Sequence, residues 1–223
     1  MRSLPLPLTL TARLSPVVVL AAAGWALSSG PLAATPAAQE GTTAQKSGEE
    51  SPTAPATAAV SKTYASAPAP CDSLSSKSIK ALVPEAKTAG KEIPSTDSKL
   101  RRTCSWNALK GYEYRWLDVS FEITESDEAA EKSFKDRVAD RSGGGDVPGI
   151  GDSGYSVVNL TTEDKQQTRE GVVLVRTSNA LVSITYSGSD FESKKAPATD
   201  EINKGAIKAA REAVAALENG QKG

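Results

Sequence analysis

The chain changes character at residue 70. Residues 35–70 read TPAAQEGTTAQKSGEESPTAPATAAVSKTYASAPAP, mostly Ala, Thr, Pro and Ser, with Tyr64 as the one aromatic. Such a stretch cannot bury enough apolar surface to offset the entropy of ordering it, and its prolines favour an extended linker. Beyond it lie nine of the chain's eleven aromatics, among them Trp106, Trp116, Tyr155 and Tyr186. One folded domain is therefore expected over 71–223, a stretch of 153 residues that suits a single ordinary core.

Ahead of the linker, residues 1–34 read as an export segment. Arg2 and Arg13 flank its start, an apolar run spans Leu14 to Leu27, and no further charge occurs before Glu40. A cleavable signal has an apolar core of about 7–15 residues followed by small residues, here Leu32-Ala33-Ala34. The uncharged stretch is also long enough to cross a bilayer, which takes roughly 20 residues. The segment is a signal peptide or an uncleaved membrane anchor, and either one sends the remainder out of the cytoplasm. No Cys stands at its end to carry a lipid.

Cys71 and Cys104 are the only cysteines. In an exported chain such a pair is expected to be joined. Redox and metal-binding pairs use close spacing such as C-x-x-C, with His or further Cys nearby, and neither is present. The pair is read as one structural disulfide fastening the domain's start to its first strand.

Composition then removes several function classes. The chain has no His, which eliminates Ser–His and Cys–His catalytic pairs and every His-based metal site. With 26 Lys+Arg against 27 Asp+Glu, no basic excess exists to neutralise a nucleic-acid backbone. Two enzyme-like signatures overlap in one loop. Gly151-Asp152-Ser153-Gly154 spells the G-D-S-G around a trypsin-like nucleophile, but no base accompanies it. Gly149, Gly151 and Gly154 fit G-x-G-x-x-G, yet here a helix precedes and a strand follows, the reverse of a dinucleotide site. No cofactor and no metal is expected.

The periodicities give an order α-β-β-α-β-β-β-α. Ser75 or Ser76 caps a helix carrying Ile79, Leu82 and Val83, which Pro84 stops. Strands follow at 102–107 and 113–124. In the second, Leu117, Val119, Phe121 and Ile123 share one phase, while Asp118, Ser120 and Glu122 take the other. Tyr114 and Trp116 fall in the polar phase, which implies a bulge or cover on both faces. Ser126-Asp127-Glu128 opens a helix with Ala130, Phe134 and Val138 on one side. Strands at 155–162, 171–177 and 180–187 come next, and then a helix at about 200–218 with Thr199 as cap. The fold expected is α+β: an antiparallel sheet of about five strands with helices mainly on one face and one disulfide.

Carboxylates are plentiful, but no pair is marked out by spacing for acid–base hydrolysis. The aromatics Trp106, Tyr112, Tyr114 and Trp116 gather about one strand turn. Core packing explains them most simply, while Tyr112, Tyr114 and Trp116 are also the candidates for a ligand or partner surface.

Several short motifs, in order, resemble an actinobacterial secreted family, the domain of unknown function 3558. They are Cys71-Asp72-x-Leu74, Cys104-Ser105-Trp106, the Val-Pro-Gly-Ile-Gly-Asp loop at 147–152, and the hairpin from Val173-Leu174-Val175-Arg176 to Leu181-Val182. The likeness covers about 70–217. It implies an envelope-associated α+β domain with one disulfide, no assigned activity and no catalytic residues to carry over. The chain is thus expected to be an exported envelope protein with a non-catalytic binding or sensing domain. Its partner would be a small ligand or another envelope protein, and it would touch the membrane only through an uncleaved first segment. The alternative is an extracellular hydrolase or lipid-handling protein using carboxylates or an apolar pocket.

Overall fold

The structure, a computed structural model, describes residues 63–220, so the export segment and all but the end of the linker lie outside the described residues. Its frame is the strand with the cleanest alternation, Glu113–Ile123 (β3), whose Leu117, Val119, Phe121 and Ile123 are buried on one face. The preceding strand Arg101–Lys110 (β2) pairs with it without a break, from Arg101 opposite Glu122 to Lys110 opposite Glu113. The register leaves no bulge to account for Tyr114 and Trp116.

Three long strands follow the second helix: Ser153–Glu163 (β5), Gln166–Thr177 (β6) and Ala180–Asp190 (β7). Two short edge strands, Lys91–Ile93 (β1) and Gly145–Asp146 (β4), complete one antiparallel sheet of seven strands in the order β1-β2-β3-β7-β6-β5-β4. The expected count of about five is therefore corrected to seven. The two additions are three and two residues long and wholly exposed, so no hydrophobic alternation marks them.

Helix α1 (Ser76–Leu82) begins where the Ser75 hydroxyl accepts the Ser78 N–H, as the capping pattern predicts. Helix α3 (Thr199–Asn219) lays Ile202, Ala206, Ala209, Ala213 and Leu217 onto the sheet, each no more than 2% exposed. It approaches β6 so closely that a Cβ at Gly171 would come within 2.8 Å of the Ile202 side chain. Thr199 is not its cap: the cap position is Ala198, and no side chain bonds there. Both helices share one core with β3, β6 and β7, and the Tyr186 hydroxyl donates to the Leu82 carbonyl across it. Among the described residues no helix is long and apolar enough to cross a membrane.

Helix α2 (Asp127–Ala139) takes the opposite face. Its Phe134 and Val138 pack on Tyr155, Val157 and Val172, a cluster separate from the main core. Val172 and Leu174 are buried on this side of β6, while Val173 and Val175 are buried on the other. Two of the three helices, α1 and α3, thus lie on one face and α2 on the other, in keeping with helices mainly on one face.

The domain also begins earlier than Cys71. Tyr64 and Ala67 are buried at 4% and 6% exposure. Asn179, wholly buried in the β6–β7 turn, accepts the Tyr64 N–H and donates to the Tyr64 and Thr124 carbonyls. A side chain that satisfies both backbone groups of Tyr64 lets this Pro/Ala-rich chain lie in the interior without orphaned polar atoms.

Candidate functional site

The polar phase of β3 faces away from α3. Asp118 stands between Ser105 of β2 and Thr185 of β7, Ser120 between Thr103 and Ser183, and Glu122 between Arg101 and Leu181. Helix α2 covers only part of this face. Its Arg137 grips both carboxylate oxygens of Glu122, at 2.7 and 2.8 Å, and forms one wall. The segment between β1 and β2 forms the other, with Ile93, Pro94 and Leu100. Between them run two hollows of about 540 and 150 Å³ that share Arg101, Thr103 and Asp118. The Thr103 hydroxyl donates to the Ser120 hydroxyl at 2.9 Å, and Ser183 and Thr185 extend this hydroxyl floor.

Trp116 lies beside the groove, bonded to its Asp118. It is 42% exposed, and its Nε1–H is shared between the Asp118 carboxylate at 2.7 Å and the Ser105 hydroxyl at 2.8 Å. The indole's one donor is thereby used, its orientation is fixed, and its apolar ring is left partly open to solvent.

The four sequence-predicted aromatics separate. Trp106 is 1% exposed on the α3 face, where its Nε1 donates to the Thr88 carbonyl at 3.0 Å. Tyr114 packs at the hairpin end against Phe191, with ring centroids 6.1 Å apart. Tyr112 is 58% exposed in the turn, and its carbonyl accepts the Phe191 N–H. Tyr114 and Trp116 thus share the groove's face of β3, Tyr112 marks its far tip, and Trp106 belongs to the core.

Cys71 and Cys104 are joined, with Cα atoms 5.2 Å apart, and Cys104 is fully buried. The bond places the domain in an oxidising, extracytoplasmic compartment. In the G-D-S-G loop, the Asp152 carboxylate accepts the Ser178 N–H at 2.7 Å and pairs with Arg176 at 3.2 Å, tying the loop to the β6–β7 turn. Gly149 and Gly151 adopt φ of +71° and +54°, and the chain then enters β5 as a strand. The glycines serve a tight strand entry.

Asp97, Asp118 and Glu122 are the acids of the groove. Asp97 accepts the Lys99 and Leu100 N–H groups. Four residues along one strand puts Asp118 and Glu122 roughly 13 Å apart, beyond the separation of about 5–9.5 Å used by paired-acid glycosidases. Glu122 is moreover committed to Arg137. Elsewhere, the Arg102 guanidinium holds Glu92 below its ordinary pKa and the Ser193 N–H does the same for Asp190, the opposite of what a general acid requires.

The groove residues not singled out from sequence are Arg101, Thr103, Ser120, Ser183, Thr185 and Arg137. Alternating Ser and Thr in a strand read as an ordinary solvated face. The available signal was the phase shared by Trp116 with Asp118 and Ser120.

No protein-family model matches the chain, and no curated protein does. Among solved structures, the extracellular domain of PknH from Mycobacterium tuberculosis aligns at 11% identity and a TM-score of 0.38, over 66% of this chain and 92% of that one. A crystal structure from Bacteroides thetaiotaomicron VPI-5482 aligns at 11% identity and a TM-score of 0.32, over 57% of this chain and 47% of that one, so the match spans under half of that protein.

Proposed function

We propose that this chain is an exported envelope protein whose domain binds a ligand without transforming it, and that the ligand lies in the groove between Arg101, Trp116 and Arg137. The observation that carries this reading is Trp116, held half-exposed by Asp118 and Ser105 beside a hydroxyl-floored groove that Asp118 itself lines. Immobilised aromatics with a few placed polar groups are the usual furniture of recognition sites. The apolar first segment acts as signal or anchor, and the motif order from Cys71-Asp72-x-Leu74 to Leu181-Val182 supports kinship with the domain of unknown function 3558. Tyr64 enters beside Thr124, just past the far end of β3, so Trp116 stands roughly 26 Å along the strand from where the chain arrives. The groove's aromatic end would then point away from a membrane tether.

The test is a library of small polar fragments titrated into isotope-labelled protein and followed by amide chemical shifts. Perturbations are expected at 101–105, 116–122 and 183–185. Shifts confined to the 146–154 loop would move the site elsewhere. Turnover of any fragment would replace binding with catalysis.

A further inference from the structure

We infer that the groove takes an uncharged glycan, one sugar ring stacking on the exposed face of Trp116 and the following rings lying over the Thr103–Ser120–Thr185 floor. The inference rests on the proposed site and names its ligand class.

Three features of the groove select this chemistry. The first is charge. Arg101 and Arg137 stand against Asp97, Asp118 and Glu122, and the Glu122–Arg137 pair is closed on itself. The lining carries no positive excess, so the groove offers no attractive field to a phosphate or a polyanion. The second is the floor. The β2–β3 and β3–β7 ladders run unbroken beneath it, so its backbone groups are committed to the sheet. An extended peptide would find no free strand edge to pair with there. It would meet side-chain hydroxyls of Thr103, Ser120, Ser183 and Thr185, each both donor and acceptor, which match the hydroxyls of a polyol. The third is the ring. Because Asp118 and Ser105 consume the indole N–H, Trp116 offers a flat apolar surface with a carboxylate and a hydroxyl at its edge. A pyranose has the complementary faces, C–H groups on one side and hydroxyls at the rim. Apolar lining comes from Ile93, Pro94 and Leu100 at one wall and the buried Leu181 beneath, too few to enclose an acyl chain. From Trp116 to Glu122 the groove extends roughly 20 Å along β3, room for several sugar units in line.

The chain has three tryptophans, Trp25, Trp106 and Trp116, and Trp106 is buried, so fluorescence reports largely on Trp116 once Trp116→Phe is measured beside it. The full exported chain is titrated with cellohexaose and chitohexaose, and in parallel with inorganic phosphate and a hexaglutamate peptide. At least one neutral hexasaccharide is expected to saturate a fluorescence change that Trp116→Phe abolishes. Affinity followed by calorimetry should fall roughly tenfold in Trp116→Ala and be largely kept in Trp116→Phe, because the phenyl ring still stacks. Thr185→Val, which preserves shape, should weaken binding about threefold to tenfold. Raising NaCl from about 0.05 to 0.5 M should change affinity less than about twofold, since no charges pair across the contact.

Hexasaccharide binding that survives Trp116→Ala unchanged overturns the inference. So does failure of both hexasaccharides to saturate at millimolar concentration. If phosphate or hexaglutamate instead moves Trp116, the glycan assignment falls and the groove stands as the site. If fragments perturb only residues outside the groove, both fall together.

Discussion

The sheet's two faces differ in what each side chain has to do. On the α3 face, every second residue of β3 from Leu117 to Ile123 is buried, and Cys104 and Trp106 continue that surface onto β2. On the opposite face the same strands carry Ser105, Thr103, Asp118 and Ser120, and the apolar side of α2 packs over β5 and β6, reaching β3 through Arg137. One face therefore spends its residues on holding the domain together. The other keeps an apolar cluster under α2 and leaves its β2–β3 half largely uncovered. Substitutions on neighbouring residues of one strand should then have unlike consequences, and that is the most direct way to break the distinction.

Phe121 and Ser120 are such neighbours. Phe121→Ala empties a fully buried site and should cost about 3–5 kcal/mol in urea denaturation. Ser120→Ala removes one hydroxyl that accepts from Thr103 and should cost no more than about 1 kcal/mol. Equal costs would mean that the second face is as tightly packed as the first, and the groove would lose its standing.

The disulfide sharpens the same point from the covalent side. It joins residues 33 apart in sequence and lands on β2 inside the packed face. Replacing both cysteines by Ala should lower stability by about 4 kcal/mol in the chain-entropy account, or roughly 10 °C in Tm. Ligand binding in the surviving native fraction should be little changed, since neither sulfur reaches the groove. A loss under about 1 kcal/mol would show that α1 and β2 are already held by packing alone.

Asn179 tests where the packed face begins. Asn179→Ala leaves the Tyr64 and Thr124 backbone groups without their partner and should cost about 2 kcal/mol by thermal or urea unfolding. A near-neutral result would return residues 63–67 to the linker.

How much of this was legible in the sequence follows from the same contrast. Features that repeat along the chain were readable: the β3 alternation, the Ala130–Phe134–Val138 spacing, and the Ile202 to Leu217 stripe. The periodicity of α2 announced that one side is buried without saying against which face of the sheet. The uninterrupted run Val172–Val175 held that information, because a strand buried on both sides loses its alternation. Tyr64 escaped for another reason. Its neighbours are linker-like in composition, and its place is secured by one distant side chain, Asn179, which no local window contains. The groove was half legible: Trp116 stood out, but its wall, Arg137, comes from the helix whose side the sequence left open.

The smallest expected effect concerns how α1 is fastened to α3. Glu212 of α3 accepts the Ser78 hydroxyl, and the Ser75 N–H and hydroxyl at 3.1 and 3.2 Å. Partial burial raises the Glu212 pKa, but these hydrogen bonds lower it by more, leaving it below its ordinary value of 4.5. A carboxyl with a lower pKa folded than unfolded stabilises the fold fully above the unfolded value, and that contribution fades as pH falls through the folded value. Glu212→Gln should therefore cost under about 1 kcal/mol near neutral pH, as befits a largely exposed contact. The gap to the wild type should shrink progressively below about pH 4.5. Urea midpoints measured in parallel across that range decide the matter. A gap that stays constant with pH would place the attachment of α1 in Ile79 and Leu82 alone. The carboxylates fastening helices to the sheet would then be Glu201 of α3, on Arg115 of β3, and Glu122 of β3, on Arg137 of α2 at the wall of the groove.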